Sequence, residues 1–252
     1  MKVKYLNALP NQKFGNYVMK DKCILVTGSS SGIGRSITER LLNSGAKVIG
    51  LARDHSKFTN GHQNYLTYQA DLNDLSNLKL IINKIIKDND EINGLISNAG
   101  YGAFGPLENF SIEQINSFIT LNLTAHIVVS KLLIPHFKRK KIGNIIFMGS
   151  EAGLIGAKNG SLYCSAKFGL RGFSQSIRND ISSSNIRVCI INPGMVRTEF
   201  FENLSFSPGN DVANAINPDE IAKTVMNVLA MEESTVVEEI NLSPLKKVVN
   251  FL

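Results

Sequence analysis

The sequence has few cysteines and no long uninterrupted apolar run. The three cysteines, Cys23, Cys164 and Cys189, are isolated and odd in number, which argues against a disulfide framework and indicates reduced thiols inside the cell. No uninterrupted apolar run approaches the roughly 18 residues of a membrane span, and the N-terminal residues lack the apolar segment of a signal peptide. We therefore expect a cytoplasmic protein with no membrane partner.

Clusters of metal-binding and of basic side chains are also lacking. His126 and His136 have no Cys, Asp or Glu at ligand spacing, so no metal site is predicted. The 27 basic and 21 acidic residues give a net charge of +6, which is compatible with anionic ligands. The one basic cluster, residues 138–141, closes a predicted helix, where cations complement the helix dipole. We interpret this cluster as a solvated helix end and predict no nucleic-acid partner.

What the sequence does contain is the composition and pattern of a single α/β domain. Of the 252 residues, 43% are hydrophobic and 19% charged, which suits an ordinary globular core. Short apolar runs alternate with segments of helical period, which indicates βαβ units and a parallel sheet. No linker or repeat divides the chain. We predict one α/β domain over residues 22–252, preceded by an N-terminal arm at residues 1–21.

A glycine-rich turn follows the first predicted strand, residues 23–27. The turn consists of Gly28, Ser29, Ser30, Ser31, Gly32, Ile33 and Gly34. A segment of helical period comes next, so the layout is strand, glycine turn and helix. This layout places phosphates at a helix N-terminus, where unpaired N–H groups and the helix dipole favour negative charge. The sequence therefore predicts nucleotide binding at this turn.

The second predicted strand ends at Arg53 and Asp54. In a dinucleotide fold this position meets the adenosine ribose, where a carboxylate binds a free 2′-OH and an arginine accommodates a 2′-phosphate. We favour NADP(H), because the guanidinium fork of Arg53 matches a phosphate and the carboxylate can point away. Two alternatives stay open: NAD(H) bound through Asp54, and an ordinary exposed Arg-Asp pair.

Polar residues follow other predicted strands as well. Asp71, Asn98 and Ser150 each come directly after an apolar run. Because the carboxyl ends of parallel strands meet at one edge of a sheet, these residues and the glycine turn should border a common ligand site.

Tyr163 and Lys167 have i, i+4 spacing on a helix that is predicted to begin near Gly160. An ammonium roughly 4 Å from a phenol favours the phenolate by about 4 kcal/mol at an effective dielectric constant near 20. This would move the tyrosine pKa from about 10 toward neutrality, where the phenol can exchange a proton. The alternative is a surface pair of the kind that any helix can contain.

Two further features are a polar residue within a predicted helix and an apolar segment near the end of the predicted domain. Asn122 falls in the middle of the apolar face of a predicted helix over residues 112–138. A buried amide costs free energy unless it is hydrogen-bonded, so Asn122 has either a neighbouring backbone partner or a functional role. The segment 195–215 is apolar and contains several phenylalanines, which predicts a lid over the substrate.

Five motifs occur in a fixed order along the chain. They are Thr27-Gly28-x-x-x-Gly32-x-Gly34, Asn98-Ala99-Gly100, Ser150, Tyr163-x-x-x-Lys167 and Pro193-Gly194. In this order and spacing the chain resembles the short-chain dehydrogenase/reductase family over about residues 21–242. The resemblance implies a Rossmann fold, with a doubly wound seven-stranded parallel sheet and helices on both faces. It also implies an NAD(P)-dependent oxidoreductase and a homodimer or homotetramer.

The resemblance implies a role for each matching residue. Tyr163 would be the general acid/base and Ser150 would hydrogen-bond the substrate oxygen. Lys167 would lower the pKa of Tyr163 and hold the nicotinamide ribose. Asn122 would complete a catalytic tetrad through a water-linked proton path to Lys167. The implied cofactor contacts are Gly28, Ser30, Ser31, Gly32, Ile33, Gly34, Arg53, Asp71, Leu72, Asn98, Ala99, Gly100, Tyr163, Lys167, Pro193, Gly194, Val196 and Thr198.

Three local features bear on cofactor and substrate. NADP-preferring members often carry a basic residue at the position of Ser31, so Arg53 is left as the main phosphate ligand. Residues 239–244 are closer to the branch with NADP-dependent serine and 3-hydroxy acid dehydrogenases, which favours small polar hydroxy or oxo substrates. The lid and the loop 101–106 are apolar, which argues against highly charged substrates.

The predicted function is therefore hydride transfer between NADP(H) and a carbonyl or secondary alcohol, with a small molecule as the substrate. One alternative is an NAD-dependent alcohol dehydrogenase of the same family. Another is a non-catalytic dinucleotide sensor or scaffold. The sensor is disfavoured because such a protein is expected to have lost part of the Asn122, Ser150, Tyr163 and Lys167 set.

Overall fold

A parallel sheet of seven strands forms the centre of the protein. The computed structural model describes residues 18–59 and 61–251, so most of the predicted N-terminal arm (residues 1–17) lies outside the described residues. The described residues form nine strands in total, which are β1 (Cys23–Thr27), β2 (Lys47–Ala52), β3 (Tyr65–Gln69), β4 (Gly94–Ser97), β5 (Gly143–Met148), β6 (Ile186–Pro193), β7 (Phe206–Pro208), β8 (Glu239–Leu242) and β9 (Val249–Phe251). The sheet order is β3-β2-β1-β4-β5-β6-β8, and β7 pairs separately with β9.

The strand order reverses beside β1, which pairs in parallel with β2 on one side and β4 on the other. Strands β1, β4 and β5 are buried along their whole length, which is why each reads as a continuous apolar run. In such sheets ligands bind at the carboxyl ends of the strands where the order reverses. The predicted doubly wound α/β fold is confirmed.

Helices cover both faces of the sheet. They are α1 (Gly32–Asn43), α2 (Leu75–Asp88), α3 (Ile112–Ile119), α4 (Ala125–Lys140), α5 (Ser161–Ile181) and α6 (Pro218–Leu229). One core cluster joins α2, α4 and α5 to the sheet, and a second joins α1 and α6 to its other face. A bidentate ion pair between Arg40 and Asp219 ties α1 to α6.

The long helix that the sequence predicts over residues 112–138 is interrupted. A π-helical turn, Thr120–Thr124, separates α3 from α4. Among the described residues, the stretch Ile112–Lys140 is also long enough, and apolar enough in its mean hydropathy, to cross a membrane. Core helices of globular proteins pass the same test, and the buried side of α4 packs on the sheet.

The predicted lid has structure of its own. It contains single 3₁₀ turns at Glu199–Phe201 and Val212–Asn214, with β7 between them. Strand β9 pairs antiparallel with β7, so residues near the C-terminus cover part of the lid. This second, two-stranded sheet was not predicted from the sequence.

Candidate active site

The glycines of the turn between β1 and α1 lie where a side chain would be strained or would clash. Gly28 and Gly32 adopt positive φ angles of 68° and 50°, which glycine tolerates best. A Cβ at Gly34 would lie 2.1 Å from the carbonyl oxygen of Gly28. Ser31 makes no side-chain hydrogen bond to the first turn of α1, and that turn has no acidic residue. The N–H groups of the turn are therefore available to an anion, which fits the pyrophosphate of a dinucleotide.

The ends of β1 and β4 are tied together behind this turn. The backbone N–H groups of Asn98 and Ala99 donate to Thr27 Oγ1 over 2.9 and 3.1 Å, and Asn98 Nδ2 donates to the Thr27 carbonyl oxygen over 3.1 Å. A Cβ at Gly28 would lie 3.0 Å from the Cα of Ala99. The Asn98-Ala99-Gly100 motif therefore holds the glycine turn in place.

The carboxylate at the end of β2 is engaged locally. Asp54 accepts hydrogen bonds from the backbone N–H and the hydroxyl of Ser56 over 2.7 and 2.8 Å. These bonds hold the pKa of the Asp54 carboxyl below its usual range. Arg53 is exposed at the same strand end. The Asp54 carboxylate thus already accepts two hydrogen bonds, and the Arg53 guanidinium lies exposed beside it.

The remaining predicted cofactor contacts lie along the same edge. Asp71 is exposed just beyond β3, and Leu72 beside it is buried. Thr198 lies against the glycine turn, because its Cγ2 would be 3.3 Å from a Cβ at Gly32. Beyond β6, the Gly194 N–H donates to the carbonyl oxygen of Leu242 over 2.7 Å. Pro193, Gly194 and the buried Val196 form the chain segment that leads to Thr198.

Tyr163 and Lys167 lie on the same face of α5, as their spacing predicts. Both side chains are buried, with 8% and 5% of their residue surface exposed. The Lys167 ammonium lies 5.7 Å from the centroid of the Tyr163 ring. It donates a hydrogen bond to the carbonyl oxygen of Met148 over 3.0 Å. The ammonium is thus anchored at the carboxyl end of β5 and lies beside the phenol.

The pKa shifts of this pair differ from the sequence-based expectation. Burial raises the pKa of the Tyr163 phenol to about 12, and hydrogen bonding with Ser150 opposes that shift only in part. Burial lowers the pKa of Lys167 to about 8. The expectation that the ammonium brings the pKa of the phenol toward neutrality is wrong for this structure, because burial is the largest influence on the phenol and raises its pKa. Burial thus disfavours the charged form of both side chains, the phenolate of Tyr163 and the ammonium of Lys167.

Ser150 stands where β5 ends, next to the phenol. It has an extended backbone and caps the 3₁₀ turn Glu151–Gly153, with its Oγ accepting from the Ala152 N–H over 3.2 Å. The hydroxyl can still donate a hydrogen bond, which a carbonyl or alkoxide oxygen could accept.

Asn122 lies in the π-helical turn, and its amide has backbone partners. Its Oδ1 accepts from the Tyr101 N–H over 3.3 Å, and its Nδ2 donates to the Phe118 carbonyl oxygen over 3.1 Å. A Cβ at Gly100 would lie 2.6 Å from Oδ1, so Asn122 abuts the motif that holds the glycine turn. These bonds account for the buried amide, while π turns within α-helices are frequent at functional sites.

His126 is a neighbour of the site that sequence reasoning considered only as a metal ligand. It is buried one turn after Asn122, and its Nδ1 lies 2.7 Å from Ser97 Oγ. Burial, followed by the charge of Lys167, lowers the pKa of His126 to about 3. Its i, i+4 spacing from Asn122 was the available signal for this proximity. No group of three or more potential metal ligands occurs among residues 18–59 and 61–251.

A glycine-rich turn at the switch point of a doubly wound sheet, with a buried Tyr-Lys pair near the carboxyl edge of the same sheet, is typical of pyridine-nucleotide oxidoreductases of the Rossmann class. The family model for short chain dehydrogenases matches residues 22–207. The chain belongs to this family, and it is an NAD(P)-dependent oxidoreductase.

Individual relatives agree with this assignment. Over 192 residues the chain is 34% identical to the 3-oxoacyl-(acyl-carrier-protein) reductase FabG of Escherichia coli K12, covering 73% of this chain and 77% of that protein. A metagenomic short-chain oxidoreductase in complex with NADP superposes with a TM-score of 0.77 at 25% identity, over 90% of this chain and 98% of the other. The closed form of serine dehydrogenase complexed with NADP⁺ gives a TM-score of 0.77 over 87% and 93% of the two chains, at 23% identity, which shows the fold alone.

Proposed function

We propose that the protein transfers a hydride between NADP(H) and a carbonyl or secondary-alcohol substrate, with Tyr163 as the general acid/base. The observation that carries the proposal is the burial of Tyr163 beside Ser150 and Lys167 at the carboxyl edge of the sheet. A phenol with a raised pKa holds its proton until negative charge develops on a nearby oxygen, which is what reduction of a carbonyl produces.

The chain's own residues would act as follows. When bound, the reduced nicotinamide supplies the hydride that adds to the carbonyl carbon. Ser150 and Tyr163 hydrogen-bond the carbonyl oxygen, and Tyr163 gives it the proton, so that the carbonyl becomes a hydroxyl. The nearby Lys167 ammonium stabilises the phenolate left on Tyr163. Protons return to the phenolate from solvent through Lys167, with Asn122 holding the water that links Lys167 to the path.

The preference for NADP(H) is proposed from the end of β2. Arg53 is exposed there, whereas both oxygens of Asp54 accept hydrogen bonds from Ser56. An exposed guanidinium matches a 2′-phosphate better than an engaged carboxylate matches a ribose hydroxyl. The metagenomic oxidoreductase that superposes on this chain was itself solved with NADP.

The proposal is tested by combining binding and turnover. Nicotinamide fluorescence is followed as NADPH and NADH are titrated into the protein, and NADPH oxidation is then measured with a panel of aldehydes and ketones. We expect tighter NADPH binding and carbonyl-dependent oxidation. Binding without turnover of any carbonyl or alcohol would favour a dinucleotide sensor, and tighter NADH binding would transfer the cofactor assignment to NAD(H).

Tyr163→Phe is the matched variant, because it removes one oxygen atom and keeps the ring. We expect it to lower kcat by at least about 100-fold, the usual contribution of a general acid. NADPH affinity should change little. Turnover close to that of the wild type would remove Tyr163 from the proposed mechanism.

A further inference from the structure

Phenylalanine rings surround the phenol of Tyr163. The ring centroids of Phe104, Phe200 and Phe118 lie 5.0, 5.9 and 6.3 Å from that of Tyr163. Phe118 is fully buried, whereas Phe104, from the loop after β4, and Phe200, from the lid, are only partly buried. The partly exposed rings therefore border the approach to the proposed proton donor.

Two more rings extend this apolar surface. The Phe206 ring lies 5.0 Å from that of Phe104, and the Phe201 ring lies 5.9 Å from Phe206 and 5.2 Å from Phe200. The four rings of Phe104, Phe200, Phe201 and Phe206, which we name the phenyl wall, are all partly exposed. An apolar group of a ligand that covers them would remove apolar surface from water on both sides of the contact.

Two cationic side chains of the segments next to the active site and in the lid are engaged within the protein. Glu151 follows Ser150 directly and forms an ion pair with Lys247 over 2.6 Å. In the lid, the Arg197 guanidinium donates to the carbonyl oxygens of Gly209 and Asp211 over 3.0 and 2.9 Å. These two cations already have partners. A substrate carboxylate placed against phenyl rings would lose its hydration, and the rings themselves offer it no counter-charge, which is unfavourable.

We propose that the substrate is a neutral carbonyl compound with a phenyl or alkyl group on the carbonyl carbon, held by the phenyl wall, and that carboxylate-bearing analogues are rejected. This assignment of the substrate class rests on the hydride-transfer function proposed above. It favours apolar substrates over the small polar hydroxy acids that the end of the sequence suggests.

The test uses pairs of aldehydes that differ in one property. Methyl 4-formylbenzoate and 4-formylbenzoate differ in charge, and benzaldehyde and acetaldehyde differ in the apolar group. With NADPH as reductant, we expect kcat/KM to be at least about tenfold higher for the ester than for the acid and for benzaldehyde than for acetaldehyde.

Variants assign the selectivity to the phenyl wall. Phe200→Ala and Phe104→Ala should each reduce the benzaldehyde preference several-fold, and Phe200→Leu serves if the alanine variants do not fold. Phe173→Ala is the control, because Phe173 is on α5 like Tyr163 but packs against Phe147; it should keep both preferences. Phe201→Arg adds a cation to the wall and should raise the relative kcat/KM for 4-formylbenzoate.

The outcomes separate this inference from the proposed function. Equal or better reduction of the free acid, or an unchanged benzaldehyde preference in the wall variants, would overturn the substrate class while leaving hydride transfer intact. NADPH binding with no turnover of any aldehyde would overturn the proposed function and the substrate class together. Loss of selectivity in the wall variants but not in Phe173→Ala supports the inference.

Discussion

At the scale of single residues, burial determines the chemistry of the site more than pairing does. Tyr163 and Lys167 are close, as their spacing indicates. Burial nevertheless raises the pKa of Tyr163 and lowers that of Lys167, which favours the neutral form of each side chain. The shift depends on how completely helices, loop and lid remove the pair from water, and that packing is not visible in a Tyr-x-x-x-Lys motif. The relative position of Tyr163 and Lys167 was therefore predictable from the sequence, and the direction of the pKa shift of Tyr163 was not.

Arg53 gives a residue-scale prediction about the cofactor. Arg53→Ala should weaken NADPH binding by about 10- to 100-fold, since charge-assisted hydrogen bonds contribute about 1.5–3 kcal/mol. NADH lacks the 2′-phosphate, so its affinity should change less than about twofold. Fluorescence titration of both nucleotides measures the difference.

Asp54→Asn is the matched control for Arg53→Ala. Because the Asp54 carboxylate is held by Ser56, its replacement should leave NADH affinity nearly unchanged. A similar loss for NADPH and NADH in Arg53→Ala would mean that Arg53 does not recognise the 2′-phosphate. A loss of NADH affinity in Asp54→Asn would instead identify the carboxylate as a ribose ligand.

His126 gives a prediction about pH and stability. Its pKa in the folded protein, about 3, lies below the ordinary value of 6.5, so the unfolded chain takes up a proton first as the pH falls. The stability associated with neutral His126 is complete above pH 6.5 and is lost between pH 6.5 and pH 3. From pH 7 to pH 5 the loss is about 2 kcal/mol, at 1.36 kcal/mol per pKa unit.

Urea unfolding at both pH values measures this loss. His126→Gln keeps a polar side chain that does not titrate, so its free energy of unfolding should fall by about 2 kcal/mol less than that of the wild type over the same interval. Identical pH dependence in the two proteins would show that His126 is not the group responsible.

At the scale of secondary-structure elements, the sequence predicts what is local and misses what depends on distant contacts. Buried parallel strands are apolar throughout, so β1 was predicted with its observed bounds. The π-helical turn was not, because it combines an insertion in the hydrogen-bond ladder with contacts of Asn122 to the loop after β4. Strand β9 was also missed, because its alternation is too short to stand out and its partner is in the lid.

The pairing of β7 with β9 leads to a prediction about the lid. The Gly209 N–H donates to the Val248 carbonyl oxygen over 3.0 Å, and Lys246 and Ala213 are hydrogen-bonded through their backbones. A chain that ends at Lys247 lacks β9. We expect faster proteolysis within residues 199–214 and a raised KM for carbonyl substrates, with NADPH affinity unchanged, because the glycine turn is elsewhere.

Phe251→Ser is the control for this truncation, since it removes an exposed side chain and keeps the backbone ladder. It should behave like the wild type in limited proteolysis. Equal protection of the lid in the truncated and full-length chains would show that β9 does not hold the lid in place.

At the scale of the whole molecule, the sheet brings residues far apart in sequence to one edge. Gly28, Ser150 and Thr198 all lie at that edge, because the strands that precede them run parallel and end on the same side of the sheet. This could be predicted, since the alternation of strands and helices indicates a parallel sheet. The homodimer or homotetramer implied by the family resemblance could not be predicted in this way, because the outer faces of α4 and α5 show only a weak pattern of apolar residues.

That outer face supplies the last prediction. On α5, Phe168 is exposed by 44%, and nothing lies within 4 Å of a Cβ at Gly172. An exposed aromatic beside an open glycine suits close packing against a helix of a second copy.

We expect the protein to elute as a dimer or tetramer and Phe168→Glu to shift it toward the monomer, because the new carboxylate would be buried at the interface. Light scattering coupled to size-exclusion chromatography measures the mass. Leu80→Glu on α2, exposed by 68%, should keep the wild-type mass. An unchanged mass in Phe168→Glu would place the subunit interface on another face.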